Sequence, residues 1–146
     1  MRYYGYSEFL KDINTLSSQI KSFNPDAILA VARGGVTIGH FLAESLNLRS
    51  FYTINSIHYD NEKKLDYIKL FNIPNLHEYK KVLIVDDIVD SGDTLFEIVK
   101  IMNINYPAID FKTTAIFQKK SAKHTANFWA QEADDWIEFF WTKDLK

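Results

Sequence analysis

The fold of this chain is decided by the stretch Val82-Leu83-Ile84-Val85-Asp86-Asp87-Ile88-Val89-Asp90-Ser91-Gly92-Asp93-Thr94-Leu95. Four apolar residues end in two adjacent carboxylates, and a third, Asp90, follows three residues later. Because the apolar run has no polar alternation, both faces of this strand should be covered, as in a parallel sheet. Asp86 and Asp87 would then lie at the carboxyl end of the strand, where open α/β sheets bind ligands.

The turn after this strand, residues 91–94, leads into an apolar pattern with helical spacing, which predicts a helix over 94–103. Backbone N–H groups and hydroxyls converge at such a helix start and hold anions. The segment therefore offers acceptors for vicinal hydroxyls and a cradle for a phosphate, which a ribose 5-phosphate requires. The alternative is an ordinary strand, turn and helix with acidic caps, because aspartate and serine are common at both places.

Strand and helix patterns alternate along the rest of the chain, which predicts an α/β fold with a mainly parallel, doubly wound sheet flanked by helices. Ser7 is the expected N-cap of a helix that runs to about Phe23 and is ended by Pro25. The other predicted elements are strands at 27–31, 51–57, 111–117 and 127–129, and a helix at 36–46.

Length and composition are those of one globular domain, residues 1–146. A net charge of −2 argues against binding nucleic acid through a basic face. The absence of cysteine excludes disulfides and thiolate zinc sites. No segment has the roughly 18 apolar residues of a membrane span, and the first residues lack the apolar stretch of a signal peptide. We therefore expect a cytoplasmic protein with no integral membrane segment.

The aspartate-rich stretch resembles the phosphoribosyl-diphosphate signature of the type I phosphoribosyltransferases, which is an apolar strand, Asp-Asp, two apolar residues and Asp-Ser-Gly-Asp-Thr. The resemblance implies the type I phosphoribosyltransferase fold with a small C-terminal hood. It also implies that Asp86 and Asp87 address the ribose hydroxyls, directly or through Mg²⁺ as cofactor, with Asp87 as a metal ligand. Carboxylate oxygens suit Mg²⁺, which takes a few of them together with substrate oxygens.

The same resemblance assigns the turn that follows. In purine-using members, the position of Asp90 faces N7 of the base and manages its proton, a catalytic role worth about 10²–10⁴-fold. Asp90 could instead be only the first residue of the phosphate turn. With either role of Asp90, the resemblance implies that Ser91, Gly92, Asp93 and Thr94 hold the 5-phosphate. Asp93 replaces a glycine found in many relatives, and a carboxylate aimed inward would repel the phosphate.

A second match is Arg33-Gly34-Gly35, a tight turn directly after the predicted strand 27–31. Glycine permits close approach of the backbone to a ligand, and Arg33 adds a fixed positive charge. In the family a short loop at this place holds the diphosphate, and the xanthine–guanine enzymes carry Arg-Gly-Gly there. The simpler interpretation is a strand-to-helix turn with an exposed arginine.

Two further matches follow toward the C-terminus. Lys119 comes just after a predicted strand, where purine phosphoribosyltransferases have a lysine that donates to the 6-oxo group of the base. Trp136-Ile137-Glu138 matches a Trp-Ile-Glu of the xanthine–guanine enzymes. This match implies that Trp136 stacks on the base and that the main chain of Ile137 meets its edge. Glu138 could assist a second Mg²⁺ or the diphosphate side. A strand-ending lysine, and aromatics used in the core or an oligomer interface, are the alternatives.

Residues 58–79 are charged, mixed in pattern and interrupted by Pro74. The family keeps a mobile flap in this region, and the polar run 56–64 suits a segment that orders over substrate. An exposed loop with a short helix is the alternative interpretation.

The matched elements are most similar to the xanthine–guanine, or 6-oxopurine, phosphoribosyltransferases. The implied reaction transfers the 5-phosphoribosyl group from 5-phospho-α-D-ribose 1-diphosphate to guanine, xanthine or hypoxanthine, and releases a nucleoside monophosphate and diphosphate. The implied partners are these small molecules, in a homodimer or homotetramer. Three alternatives stay open: another base such as adenine, a regulator that keeps the phosphoribosyl site, and a catalytically weak relative.

Overall fold

The computed structural model describes residues 1–60 and 66–145. In chain order the elements are β1 (Arg2–Tyr4), α1 (Tyr6–Ile20), β2 (Ala27–Ala32), α2 (Gly34–Ser45), β3 (Phe51–Asp60), β4 (Asp66–Phe71), β5 (Lys81–Val85), β6 (Ile88–Val89), α3 (Asp93–Asn105), β7 (Asp110–Lys119), β8 (Phe128–Ala133), β9 (Ile137–Phe139) and α4 (Phe140–Lys143). None of the helices in these two ranges is long and apolar enough to cross a membrane.

Within the described residues, the main sheet has seven strands, in the order β4, β3, β2, β5, β7 and β6, with β8 also paired to β7. Every pair is parallel except β3 with β4. The four residues from Val82 to Val85 are buried, because β2 and β7 flank β5 and helices cover both faces. The predicted α/β architecture with a mainly parallel sheet is confirmed.

An apolar layer lies on each face of the sheet. On one face, α1 and α2 pack Leu16 and Ile38 against Val85. On the other, α3 packs Ile98 against Ile84. Each of these side chains is almost fully buried, and such burial contributes about 1.5–3 kcal/mol per side chain. The two layers hold β5 rigidly, which fixes the position of the aspartates that follow it.

The hood is a separate small sheet in which β1 pairs with β9 in parallel. Tyr4 of β1 is fully buried, and its ring meets Phe117 edge-on with 4.9 Å between centroids. Its hydroxyl donates to Asp12 Oδ2 at 2.6 Å, and Gln131 Nε2 donates to the same oxygen at 2.6 Å. The N-terminal strand is thus part of the C-terminal hood, and the sequence pattern did not predict either strand.

Three predictions about the first half of the chain are wrong in detail. Gly5, not Ser7, is the N-cap of α1, and its carbonyl accepts a hydrogen bond from the amide of Phe9 at 3.0 Å. The helix ends at Ile20 rather than near Phe23, and Asn24, with φ of 53°, turns the chain before Pro25 is reached. The predicted turn at 33–35 is shorter than expected, because Arg33 is the N-cap of α2 and Gly34 and Gly35 are already its first residues.

The segment 58–79 differs from the exposed loop with a short helix that was one of its two interpretations. β3 extends to Asp60, and β4 pairs with it antiparallel, so the described part contains a strand pair instead of a loop with a short helix. Ile68 and Leu70 are less exposed than Tyr67 and Lys69, the alternation of an edge strand. Residues 61–65 of the predicted flap lie outside the described residues, and the flap stays a prediction.

Candidate active site

The site is built at the carboxyl ends of neighbouring strands. β2 and β5 are parallel, with Ala30 opposite Val85, so the Arg33 loop and the paired aspartates emerge side by side. A methyl group added at Gly34 would collide with the carboxylate of Asp87, and one added at Gly35 would collide with the carbonyl oxygen of Val85. Both glycines therefore let the start of α2 press directly against the end of β5.

The two aspartates are held by their own backbone. Asp86 Oδ1 accepts from the amide of Asp87 at 2.9 Å, and Asp87 Oδ1 accepts from the amide of Ile88 at 2.7 Å. Desolvation raises the pKa of both carboxyls above the ordinary value, and the charge of Asp87 raises the pKa of Asp86 further. The negative charge of two adjacent, desolvated carboxylates is poorly compensated by the protein around them. Such a pair favours a ligand that brings positive charge or hydroxyl donors.

The turn before α3 is held from behind by the chain at 123–124. The amides of Lys123 and His124 donate to the carbonyl of Ser91 at 2.9 and 3.2 Å. Gly92 has φ of 88°, and a methyl group there would collide with the carbonyl of His124. A side chain at this position is thus excluded both by conformation and by space. The turn is fixed in the form that presents the first amides of α3 to an anion.

A cavity of about 420 Å³ lies in front of this turn. The turn residues Ser91, Asp93 and Thr94 line one side. His58 of β3 and Ile68 of β4 line the other. The turn at 91–94 therefore faces the β3–β4 strand pair, which is the side from which the predicted flap would approach. Asp93 lies on the cavity wall, so its carboxylate is near the expected phosphate position.

Asp90 and Lys119 meet across the neighbouring strand ends. β6 runs parallel to β7 with Val89 opposite Gln118. The residues that follow these two, Asp90 and Lys119, are therefore neighbours. Lys119 Nζ lies 2.9 Å from Asp90 Oδ1. The lysine side chain is 29% exposed and the aspartate 72%, so an incoming molecule can reach both. The pair offers a donor and an acceptor side by side.

The hood closes a second cavity of about 320 Å³. Trp136 is 67% exposed, and its main chain is anchored, because its carbonyl accepts from the amide of Arg2 at 3.0 Å and its amide donates to Asp135 Oδ1 at 2.7 Å. The residues that line this hood cavity are Asp87, Ile88, Trp136, Ile137, Glu138, Phe139, Thr142 and Lys143.

The structure brings several of the residues singled out from the sequence together. Asp87 touches the glycine loop and also lines the hood cavity with Trp136, Ile137 and Glu138. The sequence patterns did not indicate Thr142 and Lys143, which enter the cavity from α4. Lys143 Nζ lies 3.3 Å from Glu138 Oε1. A four-residue helix after an aromatic run has no recognisable pattern, so only the fold could reveal these two residues.

The sequence matches the phosphoribosyl transferase domain family over residues 3–146. The chain belongs to this family. A xanthine-guanine phosphoribosyltransferase of Cereibacter sphaeroides is 27% identical over 151 aligned positions, covering 97% of this chain and 87% of the relative. One from a Ruegeria species is 26% identical, covering 97% and 85%.

Solved structures of this phosphoribosyl transferase domain family agree with the fold. A xanthine-guanine-hypoxanthine phosphoribosyltransferase of Helicobacter pylori superposes with a TM-score of 0.92 at 38% identity, covering 98% of this chain and 94% of that one. A purine phosphoribosyltransferase of Pyrococcus horikoshii superposes with a TM-score of 0.82 at 24% identity, covering 95% and 92%; this second likeness concerns the fold alone. The type I phosphoribosyltransferase fold expected from the aspartate-rich stretch is thereby confirmed.

Proposed function

We propose that this phosphoribosyltransferase acts in purine salvage. It transfers the 5-phosphoribosyl group from 5-phospho-α-D-ribose 1-diphosphate to a 6-oxopurine, namely guanine, xanthine or hypoxanthine, and releases a nucleoside monophosphate and diphosphate. The relatives from Cereibacter, Ruegeria and Helicobacter are named for this chemistry. The observation that carries the proposal is the pairing of Lys119 with Asp90 at 2.9 Å, next to the hood.

The Lys119–Asp90 pair matches one edge of a 6-oxopurine. The oxygen on carbon 6 is an acceptor for the lysine ammonium, and the neighbouring N7–H is a donor for the aspartate carboxylate. Adenine presents an amino group at carbon 6, which would face another donor. A buried or half-buried donor left without an acceptor is costly, so the pair selects the oxo form of the base.

Trp136 supplies the flat surface on which the base stacks. Its ring is mostly exposed while its main chain is anchored on both sides, so the stacking face is available without reordering the hood. Stacking of a base on such a ring is worth about 1–3 kcal/mol. The main chain of Ile137, next along β9, then meets the edge of the base.

The phosphoribosyl donor spans the rest of the site. The 5-phosphate is held at the start of α3 by backbone amides and the hydroxyls of Ser91 and Thr94, and the ribose hydroxyls face Asp86 and Asp87. The diphosphate lies against the start of α2, where Arg33 supplies positive charge. Asp93 lines this cavity and is exposed, and we expect its carboxylate to turn to water when the phosphate binds, since an inward carboxylate would oppose the phosphate.

The donor set fits Mg²⁺ bound mainly through the substrate. Among the described residues, no three histidine, aspartate or glutamate side chains come together as a complete metal site, and Mg²⁺ ordinarily binds through one or two carboxylates plus substrate oxygens. Asp87 is the expected protein ligand, because burial raises the pKa of its carboxyl and a bound cation would compensate the charge of the carboxylate. Glu138 lines the same cavity, but its carboxylate is already paired with Lys143, which would have to move aside. When bound, Mg²⁺ stabilises the charge of the departing diphosphate.

Asp90, Lys119 and Trp136 act on the base during the transfer of the phosphoribosyl group. The bond between C1 of the ribose and the diphosphate oxygen breaks as positive charge develops on the sugar ring, and N9 of the base forms the new bond to C1. Asp90 holds the proton at N7 and removes it as the base becomes a nucleotide. Lys119 and Trp136 keep the base in line with C1, and correct placement of two reactants contributes a large part of such rate enhancements.

We also propose a cytoplasmic homodimer or homotetramer with no nucleic-acid partner. The lack of cysteine suits a reducing compartment, and the slightly acidic balance does not suit nucleic acid. Exposed aromatic side chains such as Tyr6, 51% exposed, and Phe96, 45% exposed, offer apolar surface for contacts between subunits.

The test is a panel of bases assayed with Mg²⁺ and phosphoribosyl diphosphate. Wild type should use guanine, xanthine and hypoxanthine but not adenine. Lys119→Met should lower kcat/KM for the 6-oxopurines by about tenfold or more, as expected for a lost charge-assisted hydrogen bond. Lys120→Met is the matched control, because Lys120 is exposed and pairs with Glu132 at 3.6 Å. Equal use of adenine, or equal losses in both variants, would contradict the proposal.

A further inference from the structure

We propose that α4 reads the substituent on carbon 2 of the purine. Lys143 favours an oxo group at this position, and Thr142 accepts either an oxo or an amino group. The inference rests on the proposed transfer to a 6-oxopurine and extends it to a choice among the three bases, which differ only at carbon 2. It predicts a preference for xanthine over guanine that comes from one side chain.

Thr142 and Lys143 of α4 lie on the wall of the hood cavity, as does Trp136. Lys143 Nζ is 3.3 Å from Glu138 Oε1, and the Glu138 side chain is only 20% exposed. A partly buried carboxylate therefore restrains the lysine ammonium at the cavity wall. The lysine side chain itself is 56% exposed, so its remaining donors are open to a ligand.

The other contacts of the base leave carbon 2 to this wall. The Lys119–Asp90 pair takes the edge with O6 and N7, and neither residue lines the hood cavity. N9 must face the ribose, which lies at Asp86 and Asp87. The third edge of the ring, with carbon 2 between N1 and N3, then projects into the hood cavity. Asp87 stands at the ribose end of that cavity, and α4 forms part of the remaining wall.

The chemistry at carbon 2 separates the three substrates. Hypoxanthine carries hydrogen, guanine an amino group that donates, and xanthine an oxo group that accepts. An ammonium has donors only, whereas a hydroxyl both donates and accepts. Lys143 therefore binds the oxo group of xanthine and opposes the amino group of guanine, while Thr142 serves both. Among the described residues that line this cavity, Lys143 is the only basic one, so nothing else on this wall duplicates its charge.

The experiment measures kcat/KM for hypoxanthine, guanine and xanthine at saturating phosphoribosyl diphosphate and Mg²⁺. Ratios between bases are compared within each enzyme, so a general loss of folding or activity cancels. Lys143→Met should lower the xanthine-to-hypoxanthine ratio about tenfold, the size expected for one charge-assisted hydrogen bond weakened by partial exposure to water. The same variant should raise the guanine-to-xanthine ratio.

Two further variants complete the test. Thr142→Val, which keeps the branched shape, should lower guanine and xanthine together relative to hypoxanthine. Lys21→Met, which removes an exposed charge at the end of α1, should leave all ratios as in wild type. Ratios for Lys143→Met within twofold of wild type would overturn the inference while the proposed function stands. A wild type that uses none of the three bases would overturn both.

Discussion

Replacing Gly35 with alanine is expected to destabilise the protein, because a methyl group has no room at this position. The added carbon would lie 2.9 Å from the carbonyl carbon of Val85 and 3.0 Å from Cα of Asp86, and would collide with the Val85 oxygen. All three are backbone atoms of the central strand, so none can rotate away. Overpacking of this kind costs about 1–3 kcal/mol, and we take the upper end because the obstacle is backbone.

Helix propensity offsets part of this cost. Gly35 lies in the first turn of α2, and alanine is favoured over glycine in helices by up to about 1 kcal/mol. The net loss is then about 2 kcal/mol. For a chain of 146 residues, each kcal/mol lowers Tm by about 3 °C, which gives a fall of about 6 °C. Differential scanning calorimetry measures it.

Gly34→Ala is the matched control, since the obstacle there is different. The methyl group would collide with the carboxylate of Asp87, the end of a side chain that can turn. Stability should change by less than about 1 kcal/mol, while kcat/KM should fall by up to about 10²-fold, because a displacement of about 1 Å in an active site has this effect. Equal losses of Tm in the two variants, or an unchanged Tm in Gly35→Ala, would refute the reasoning.

Three other predictions concern charge and packing. Asp86→Asn should raise Tm at neutral pH in the presence of a chelator, because burial raises the pKa of this carboxyl. The stability of the wild type falls as pH rises from the ordinary aspartate pKa through the raised one. The gain in Tm of the variant over wild type should therefore vanish in acid. Tyr4→Phe should cost about 1.5–3 kcal/mol in urea unfolding, since buried Asp12 loses its 2.6 Å donor; a loss under about 0.5 kcal/mol would contradict this. Gly92→Ala should raise KM for phosphoribosyl diphosphate more than KM for the base, because its left-handed backbone shapes the turn proposed to hold the 5-phosphate; equal changes in both would contradict it.

The sequence predicted the parts of the site that depend on local patterns. The unbroken apolar run of β5, the Asp-Asp that follows and the start of α3 are close in the chain, and their chemistry follows from the order of residues. The pairing of Lys119 with Asp90 also follows once β6 and β7 are known to be parallel, although the two-residue strand β6 has no pattern of its own.

The hood could not be predicted in the same way. Its strands Arg2–Tyr4 and Ile137–Phe139 are three residues each and lie at opposite ends of the chain. Strands this short have no periodicity, and their pairing is set by the packing of Tyr4 among the aromatic residues of the hood. The entry of α4 into the hood cavity depends on this pairing, which is why Lys143 was found only in the structure.

The central claim is tested most directly by incubating the protein with Mg²⁺, phosphoribosyl diphosphate and each of the four purine bases, and measuring the nucleoside monophosphate and diphosphate formed. We expect both products in equal amounts from guanine, xanthine and hypoxanthine, none from adenine, and a rate at least about 10²-fold lower in Asp90→Asn. Binding of phosphoribosyl diphosphate without product from any base would contradict the account and favour a regulator that keeps the site. Full activity in Asp90→Asn would contradict the role given to that carboxylate.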